Sequence, residues 1–153
     1  MRLSALLLLL GCAHAPAPRR AAIDATLDDW HAAAAAADED RYFSHFAADA
    51  VFFGTDPDER WTVAEFRAYA HPHFAKGKAW TFRPLRRAVF FSAQGATAWF
   101  DEDLATPNLG PARGTGVLVR RTGGWLIAQY NLSVPIPNAL FKEIKTLMDR
   151  APR

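Results

Sequence analysis

The sequence has little cysteine and little excess charge. Cys12 is the only cysteine among 153 residues, so the chain can form no internal disulfide and has no thiol pair for a metal or redox motif. The 18 Lys and Arg residues nearly balance the 16 Asp and Glu residues, which leaves a formal net charge of +2. The arginines are scattered rather than gathered in one block, and these features argue against nucleic-acid binding.

Long apolar runs are also lacking. The stretch from Leu3 to Leu10 has eight residues, whereas a helix that crosses a bilayer needs about 20. Behind the positive start at Arg2, this stretch is typical of a signal peptide. The alternatives are a plain secretory signal and a start codon misplaced upstream of a cytosolic domain.

The residues that end this stretch, Leu9-Leu10-Gly11-Cys12, resemble a bacterial lipobox. The resemblance implies cleavage before Cys12 and lipidation of that residue. We therefore expect a signal peptide at 1–11, an Ala/Pro-rich tether at 12–22 and one domain at 23–153. The location would be the cell envelope, periplasmic or outer face, with contact to the membrane through a lipid anchor only.

Half of the residues are hydrophobic, enough for one packed core. Apolar residues recur at helical spacing in 23–34 and in 63–74, and a short helix is expected after the acidic residues 38–40. From residue 79 onward, β-branched and aromatic runs separated by turn residues predict an antiparallel meander, with strands at 80–92, 96–104, 113–121 and 125–133. Helices that precede a long meander predict an α+β domain with an apolar cavity between helices and sheet.

Three local signals mark the ends of helices. Thr62 and Glu65 match a capping box at the start of one helix. Pro72 is expected to kink or end that helix early. Asn138 is expected to cap a final helix with apolar residues on one side.

Five segments carry a resemblance to a known family, namely Ala37 to Phe46, Asp49 to Asp56, Glu59 to Trp61, Gly114 to Val119, and Gly123 to Ser133 (GGWLIAQYNLS). Over about residues 23 to 135 the chain resembles the nuclear transport factor 2-like superfamily, in its SnoaL-like branch. The resemblance implies a cone-shaped, curved antiparallel sheet wrapped by N-terminal helices, a cystatin-like roll, plus a C-terminal helix. This scaffold hosts isomerases, cyclases, epoxide hydrolases, dehydratases and non-catalytic modules, so it does not by itself indicate a function.

The predicted meander also indicates which side chains share a face. A turn at residues 122–124 would pair Arg121 with Trp125, and would place Val117 opposite Gln129. The same register puts Thr115 opposite Asn131 and near Asp101, with Arg113 diagonal to that carboxylate. In SnoaL-like relatives, alternate positions from the tryptophan of Gly-Gly-Trp tend to face the cavity. We therefore expect the cavity wall to comprise Trp99, Asp101, Arg113, Thr115, Val117, Trp125, Ile127, Gln129 and Asn131.

Two functions follow from that wall. The first is a non-catalytic domain that binds a small, largely apolar molecule in its pocket or serves as a dimeric module, in which Asp101 and Arg113 form a structural ion pair. The alternative is a cofactor-free lyase, isomerase or hydrolase, in which Asp101 is the acid or base and Arg113 stabilises negative charge. The ligand pocket is expected to be lined by Trp30, Tyr42, Trp61, Trp80, Trp99, Thr115, Gln129 and Asn131.

No cofactor and no metal site are expected. His71 and His73, two residues apart on a helix, would point to nearly opposite sides and have no partner at ligand spacing. His31 and His45 are single residues in predicted helices and are interpreted as exposed or core histidines.

The last strand is apolar on both faces. Leu126, Ala128, Tyr130 and Leu132 alternate with the predicted cavity wall. A second subunit or the C-terminal helix must cover them, and we expect a homodimer that buries the face carrying Tyr130.

The lipobox interpretation predicts the result of one substitution. Cys12→Ser removes the sulfur that would carry the lipid, so expression in a Gram-negative host should yield no protein in the membrane fraction. Recovery of the variant with membranes would show that the interpretation is wrong.

Overall fold

A computed structural model describes residues 17–151 of the chain. The predicted signal peptide and Cys12 lie outside these residues. The helices are α1 (Ala17–Ala35), α2 (Glu39–Ser44), α3 (Val63–Ala75) and α4 (Phe141–Met148), the last preceded by a 3-10 turn at Asn138–Leu140. The strands are β1 (Phe46–Phe53), β2 (Arg60–Thr62), β3 (Arg83–Phe91), β4 (Thr97–Thr106), β5 (Gly110–Arg121) and β6 (Gly124–Ser133).

The first helix forms because its sequence is rich in alanine, the strongest helix former. Ile23, Leu27, Trp30 and Ala34 are buried along one side of α1, as their helical spacing predicts. The helix begins at Ala17, so residues 17–22, expected as tether, are helical. Ile23 is the first of the described side chains to reach the core.

The start of α3 confirms the predicted capping box. The Thr62 hydroxyl accepts from the Glu65 N–H at 3.3 Å, and the Glu65 carboxylate accepts from the Thr62 N–H at 2.8 Å. Of the two effects expected of Pro72, an early end to this helix does not occur, because α3 continues to Ala75. Phe74 is buried in the aromatic core, and this burial stabilises the last turn beyond the proline.

The six strands form one sheet in the order β2-β1-β6-β5-β4-β3. Strands β3 to β6 make the predicted antiparallel meander, whereas β1 lies parallel to β6. Helices α1, α2 and α3 contribute to a single core against one face of the sheet, here called the inner face. The opposite side is the outer face. This arrangement confirms the α+β class.

One extra residue in β6 changes which side chains face the core. Leu118 of β5 pairs with Ile127, and the residue before it, Val117, pairs with Gln129. Ala128 of β6 therefore has no partner on β5 and forms a β-bulge. A bulge reverses the alternation of side chains beyond it. Trp125 and Ile127 lie on the inner face before the bulge.

Beyond the bulge, Tyr130 and Leu132 lie on the inner face, and Gln129 and Asn131 on the outer face. The predicted pairs Val117–Gln129, Thr115–Asn131 and Asp101–Thr115 are confirmed. Arg121, however, lies opposite Gly124. The expected cavity wall is wrong at seven of its nine positions, because only Trp125 and Ile127 lie on the inner face, and the outer face carries Trp99, Asp101, Arg113, Thr115, Val117, Gln129 and Asn131.

The chain ends in a helix with an uncovered apolar side. Asn138 does not cap this helix, because the 3-10 turn that precedes α4 starts at this residue and has no side-chain cap. Phe141, Leu147 and Met148 are more than half exposed. Within residues 17–151, no helix combines the length and the apolar character that crossing a bilayer requires.

Candidate functional site

A pocket of about 470 Å³ opens between α3, strands β1 and β2, and the loops that precede β3 and follow β4. Its volume lies within the range of small-molecule sites, roughly 300–1,000 Å³. The apolar lining consists of Phe52, Trp61, Phe66, Tyr69, Ala79, Trp80, Phe82, Pro107, Leu109 and Leu132.

The aromatic rings of one pocket wall lie nearly parallel to each other. The rings of Phe52 and Phe66 stack with centroids 3.8 Å apart and planes 18° apart. Trp61 lies 5.6 Å and 10° from Phe66, and Tyr69 lies 4.6 Å and 25° from Trp61. Offset stacking is a preferred arrangement of aromatic groups, so this wall is suited to a flat ligand.

The polar lining of the pocket includes groups near its opening. Thr55, His73, Lys78 and Asn108 line the pocket and are exposed to solvent. The half-buried Glu59 carboxylate accepts a hydrogen bond from the backbone N–H of Asp56 at 3.1 Å. Polar groups at an apolar pocket fix the orientation of a ligand more than they add affinity.

Two of the eight expected pocket residues, Trp61 and Trp80, line this pocket. Trp30 and Tyr42 are buried in the core behind its wall. The remaining four, Trp99, Thr115, Gln129 and Asn131, lie on the outer face. Gln129 and Asn131 lie there because of the bulge at Ala128, whereas strict alternation of side chains from Trp125 onward predicts them on the inner face.

Asp101 and Arg113 form no ion pair with each other. The Asp101 carboxylate lies on the outer face, is 37% exposed, and has Arg86 as its ion-pair partner at 3.9 Å. The Arg113 guanidinium is half exposed and lies 3.8 Å from Asp103. The expectation that the two residues form a charged pair on the cavity wall is therefore wrong.

The buried carboxylate belongs instead to the next residue, Glu102, which is fully buried on the inner face. Its Oε1 lies 2.7 Å from Nε2 of the buried His31, and its Oε2 accepts from Nε of Arg87 at 2.9 Å. Hydrogen bonds to ionised groups are the stronger ones in proteins, so this cluster joins α1 to strands β3 and β4.

Arg87 extends the cluster toward the surface. Its Nη1 donates to the Asp28 carboxylate at 2.9 Å and to the backbone oxygen of Asp24 at 3.3 Å. Burial alone would lower the pKa of Arg87, but the Glu102 and Asp28 carboxylates together more than offset this effect, and the pKa is raised. The guanidinium therefore stays charged in a largely buried position.

The sequence contained a signal for this cluster. Ala98, Phe100 and Leu104 alternate along β4, and Glu102 falls in the same phase. A charged residue at a core position is the informative exception in an apolar pattern. Its partners could not be found in this way, because His31 and Arg87 are distant in the sequence.

His71 and His73 have different surroundings. His71 lies 2.7 Å from the Glu39 carboxylate, whereas His73 lines the pocket. In the part of the chain that the structure describes, no group of three or more His, Cys, Asp or Glu side chains could hold a metal ion.

The family follows from the sequence together with this fold. A family model described as SnoaL-like domain matches residues 23–137, most of the chain. The chain belongs to the SnoaL-like domain family. The matched range begins at the first buried residue of α1 and ends just before the 3-10 turn.

Solved structures share the fold at low sequence identity. A nuclear transport factor 2-like protein of unknown function from Pseudomonas putida has a TM-score of 0.67 and 15% identity, over 82% of this chain and 92% of its own. A cystatin-like protein of unknown function from Nostoc punctiforme has a TM-score of 0.64 and 13% identity, over 78% and 93%. A protein named putative scytalone dehydratase from Novosphingobium aromaticivorans has a TM-score of 0.67 and 10% identity, over 78% and 85%. No curated protein matches the sequence.

The buried cluster leads to a prediction about stability. Glu102→Gln keeps the shape of the side chain but removes the one fully buried carboxylate partner of the Arg87 guanidinium, which keeps only the more exposed Asp24 and Asp28. We expect a loss of about 3 kcal/mol in the free energy of unfolding, because removing one partner of a buried ion pair is costly. Chemical denaturation of the purified variant measures this loss.

Asp101→Asn is the matched control, one residue away on the outer face. Its ion pair is exposed and long, so the change should cost less than about 1 kcal/mol. Equal losses for the two variants would contradict the assignment of the buried carboxylate to Glu102.

Proposed function

We propose that the protein is a non-catalytic binding domain that holds a small, flat, largely apolar molecule and is anchored to the cell envelope through Cys12. The observation that carries the binding function is the aromatic pocket of about 470 Å³. The lipobox-like residues Leu9 to Cys12 support the anchoring.

The size and lining of the pocket favour a compact ligand. Burial of apolar surface contributes about 25 cal/mol per Å², so a ligand of two fused rings gains most of its affinity from contact with the wall. The parallel rings of Phe52, Phe66 and Trp61 add a preference for planar shapes.

The positions of Asp101 and Glu102 argue against a catalytic role for either carboxylate in the pocket. Asp101 and Arg113 lie on the outer face, and the sheet separates them from the pocket. The Glu102 carboxylate is already bonded to His31 and Arg87. A general base has to reach the proton that it removes, and neither Asp101 nor Glu102 lines the pocket.

A second copy of the chain is proposed as a partner on the outer face. Phe90 and Trp99 stack there with centroids 5.9 Å apart, and they are 48% and 45% exposed. Adjacent exposed aromatic side chains favour protein association. The face proposed here differs from the one expected, since Tyr130 is fully buried on the inner face.

The binding proposal is tested at Trp61. Trp61→Ala removes the ring between Phe66 and Tyr69, and we expect the affinity for 2-ethylnaphthalene to fall about tenfold or more. Isothermal titration calorimetry on the purified protein measures this change. Trp99→Ala removes the same side chain from the outer face and should leave the affinity unchanged. Absence of binding by the unmodified protein would refute the proposal.

The dimer proposal is tested at Trp99. Trp99→Glu places a charge in the centre of the proposed interface, where burial without a partner is costly, and should give monomers at micromolar concentration. Sedimentation equilibrium measures the mass. Thr122→Glu, which adds the same charge at the β5–β6 turn, should remain dimeric. A monomeric unmodified protein would exclude this interface.

A further inference from the structure

Among residues 17–151, Glu59 is the one acidic residue that lines the pocket. Its carboxylate is half-buried, and it accepts a hydrogen bond from a backbone group, the N–H of Asp56, at 3.1 Å. No Lys, Arg or His side chain of the described chain forms an ion pair with it, whereas the part-buried Glu39 pairs with Arg67. The Glu59 carboxylate is therefore available to a group on the ligand.

The loop between β1 and β2 holds this carboxylate in place. The N–H of Gly54 donates to the carbonyl oxygen of Glu59 at 2.9 Å, and the N–H of Glu59 donates to the carbonyl oxygen of Asp56 at 3.0 Å. The Asp56 carboxylate accepts from the N–H of Asp58 at 3.0 Å. A side chain at Gly54 would collide with the Glu59 carboxylate, so glycine leaves the space that this group occupies. A group positioned before the ligand arrives costs less entropy on binding.

The carboxylate adjoins the aromatic wall of the pocket. Glu59 directly precedes β2 and is two residues before Trp61, and both residues line the pocket. Residues two apart in an extended segment point to the same side. A flat ligand that rests on the aromatic wall would therefore bring a substituent close to the carboxylate. A cation near aromatic rings gains a further attraction that an anion does not.

Two basic residues, His73 and Lys78, also line the pocket. Both are exposed, and they lie together at the end of α3, where the N–H of Lys78 donates to the carbonyl oxygen of His73 at 3.4 Å. Water screens an exposed charge, and a long side chain loses entropy when a partner fixes it. The half-buried and positioned carboxylate of Glu59 is therefore the stronger determinant of ligand charge.

We propose that Glu59 binds a protonated amine, so that the ligand is a flat, largely apolar compound that carries an ammonium group. This inference rests on the proposed function. An ammonium group has three N–H donors and no acceptor, which matches a carboxylate that has acceptor sites to spare. Hydrogen bonds between ionised groups are stronger than those between neutral groups. Because Glu59 is only half-buried, the amine keeps part of its water and its desolvation is incomplete.

The experiment compares three probes with a naphthalene body, namely 2-(aminomethyl)naphthalene, 2-ethylnaphthalene and 2-naphthoate. The first two have the same shape and differ by an ammonium group in place of a methyl group. Calorimetry on the purified protein at neutral pH measures the three affinities. We expect the ammonium probe to bind about tenfold more tightly than the ethyl probe, and the naphthoate to bind most weakly because like charges repel.

Glu59→Gln removes the charge but keeps an oxygen that can accept from the N–H of Asp56, so the loop should be retained. The preference for the ammonium probe over the ethyl probe should fall toward parity in this variant. Asp58→Asn is the matched control, because it removes one charge from the same loop at a side chain that does not line the pocket. It should keep the preference. Loss of the preference in both variants would show a general effect of the charge on this loop and overturn the assignment to Glu59.

Nuclear magnetic resonance on the unmodified protein locates the ammonium group without any variant. We expect nuclear Overhauser effects between the aminomethyl protons of the probe and the γ protons of Glu59. Contacts of these protons with His73 or Lys78 instead would overturn the assignment.

The remaining outcomes separate this inference from the proposed function. Equal affinity for the ammonium and ethyl probes would overturn the amine assignment and leave the proposed function intact. Tightest binding of 2-naphthoate, lost in Lys78→Met, would show a carboxylate ligand held by the exposed lysine instead. An unchanged preference in Glu59→Gln would show that another group attracts the cation. Failure of all three probes to bind would overturn both proposals.

Discussion

The extra residue at Ala128 determines which side chains of the last strand face the helices. Because β6 lies between β1 and β5, its side chains face the helices over the middle of the sheet. The bulge brings Tyr130 and Leu132 to the inner face after Trp125 and Ile127. Without it, Gln129 and Asn131 would point into the aromatic core, where their amides would need partners.

The buried charges fix the position of α1 on the sheet. Glu102 of β4 bonds to His31 of α1 and to Arg87 of β3, and Arg87 also bonds to Asp28 on the same helix as His31. Apolar packing alone tolerates small displacements of a helix, whereas charge-assisted hydrogen bonds require particular distances. Trp30, next to His31, is thereby held between Tyr42 and Tyr130.

Much of the fold could be predicted because its signals are local. The stripe of α1, the capping box at Thr62 and the register of β4 against β5 depend on residues close in sequence. The inner face could not be predicted in full, because a bulge is one residue with no distinctive composition. Ala128 resembles any other small strand residue, so Gln129 and Asn131 are predicted on the wrong face. Their strand neighbours Val117, Thr115 and Asp101 share that face and are misplaced with them. Asp101 is predicted as the inward-facing carboxylate, but the carboxylate that is buried belongs to the residue after it.

The parallel pairing of β1 with β6 has a consequence for how the domain assembles. Phe52 lies beside Tyr130 across that pair, so the two strands are joined only after most of the chain is available. Closing so long a loop costs entropy before the contacts form. Until then the aromatic side chains of β1, α2 and α3 lack their sheet, and an isolated N-terminal half has no means to bury them. The domain therefore gains its structure as one cooperative unit, and its last strand completes a core that the first half of the chain begins.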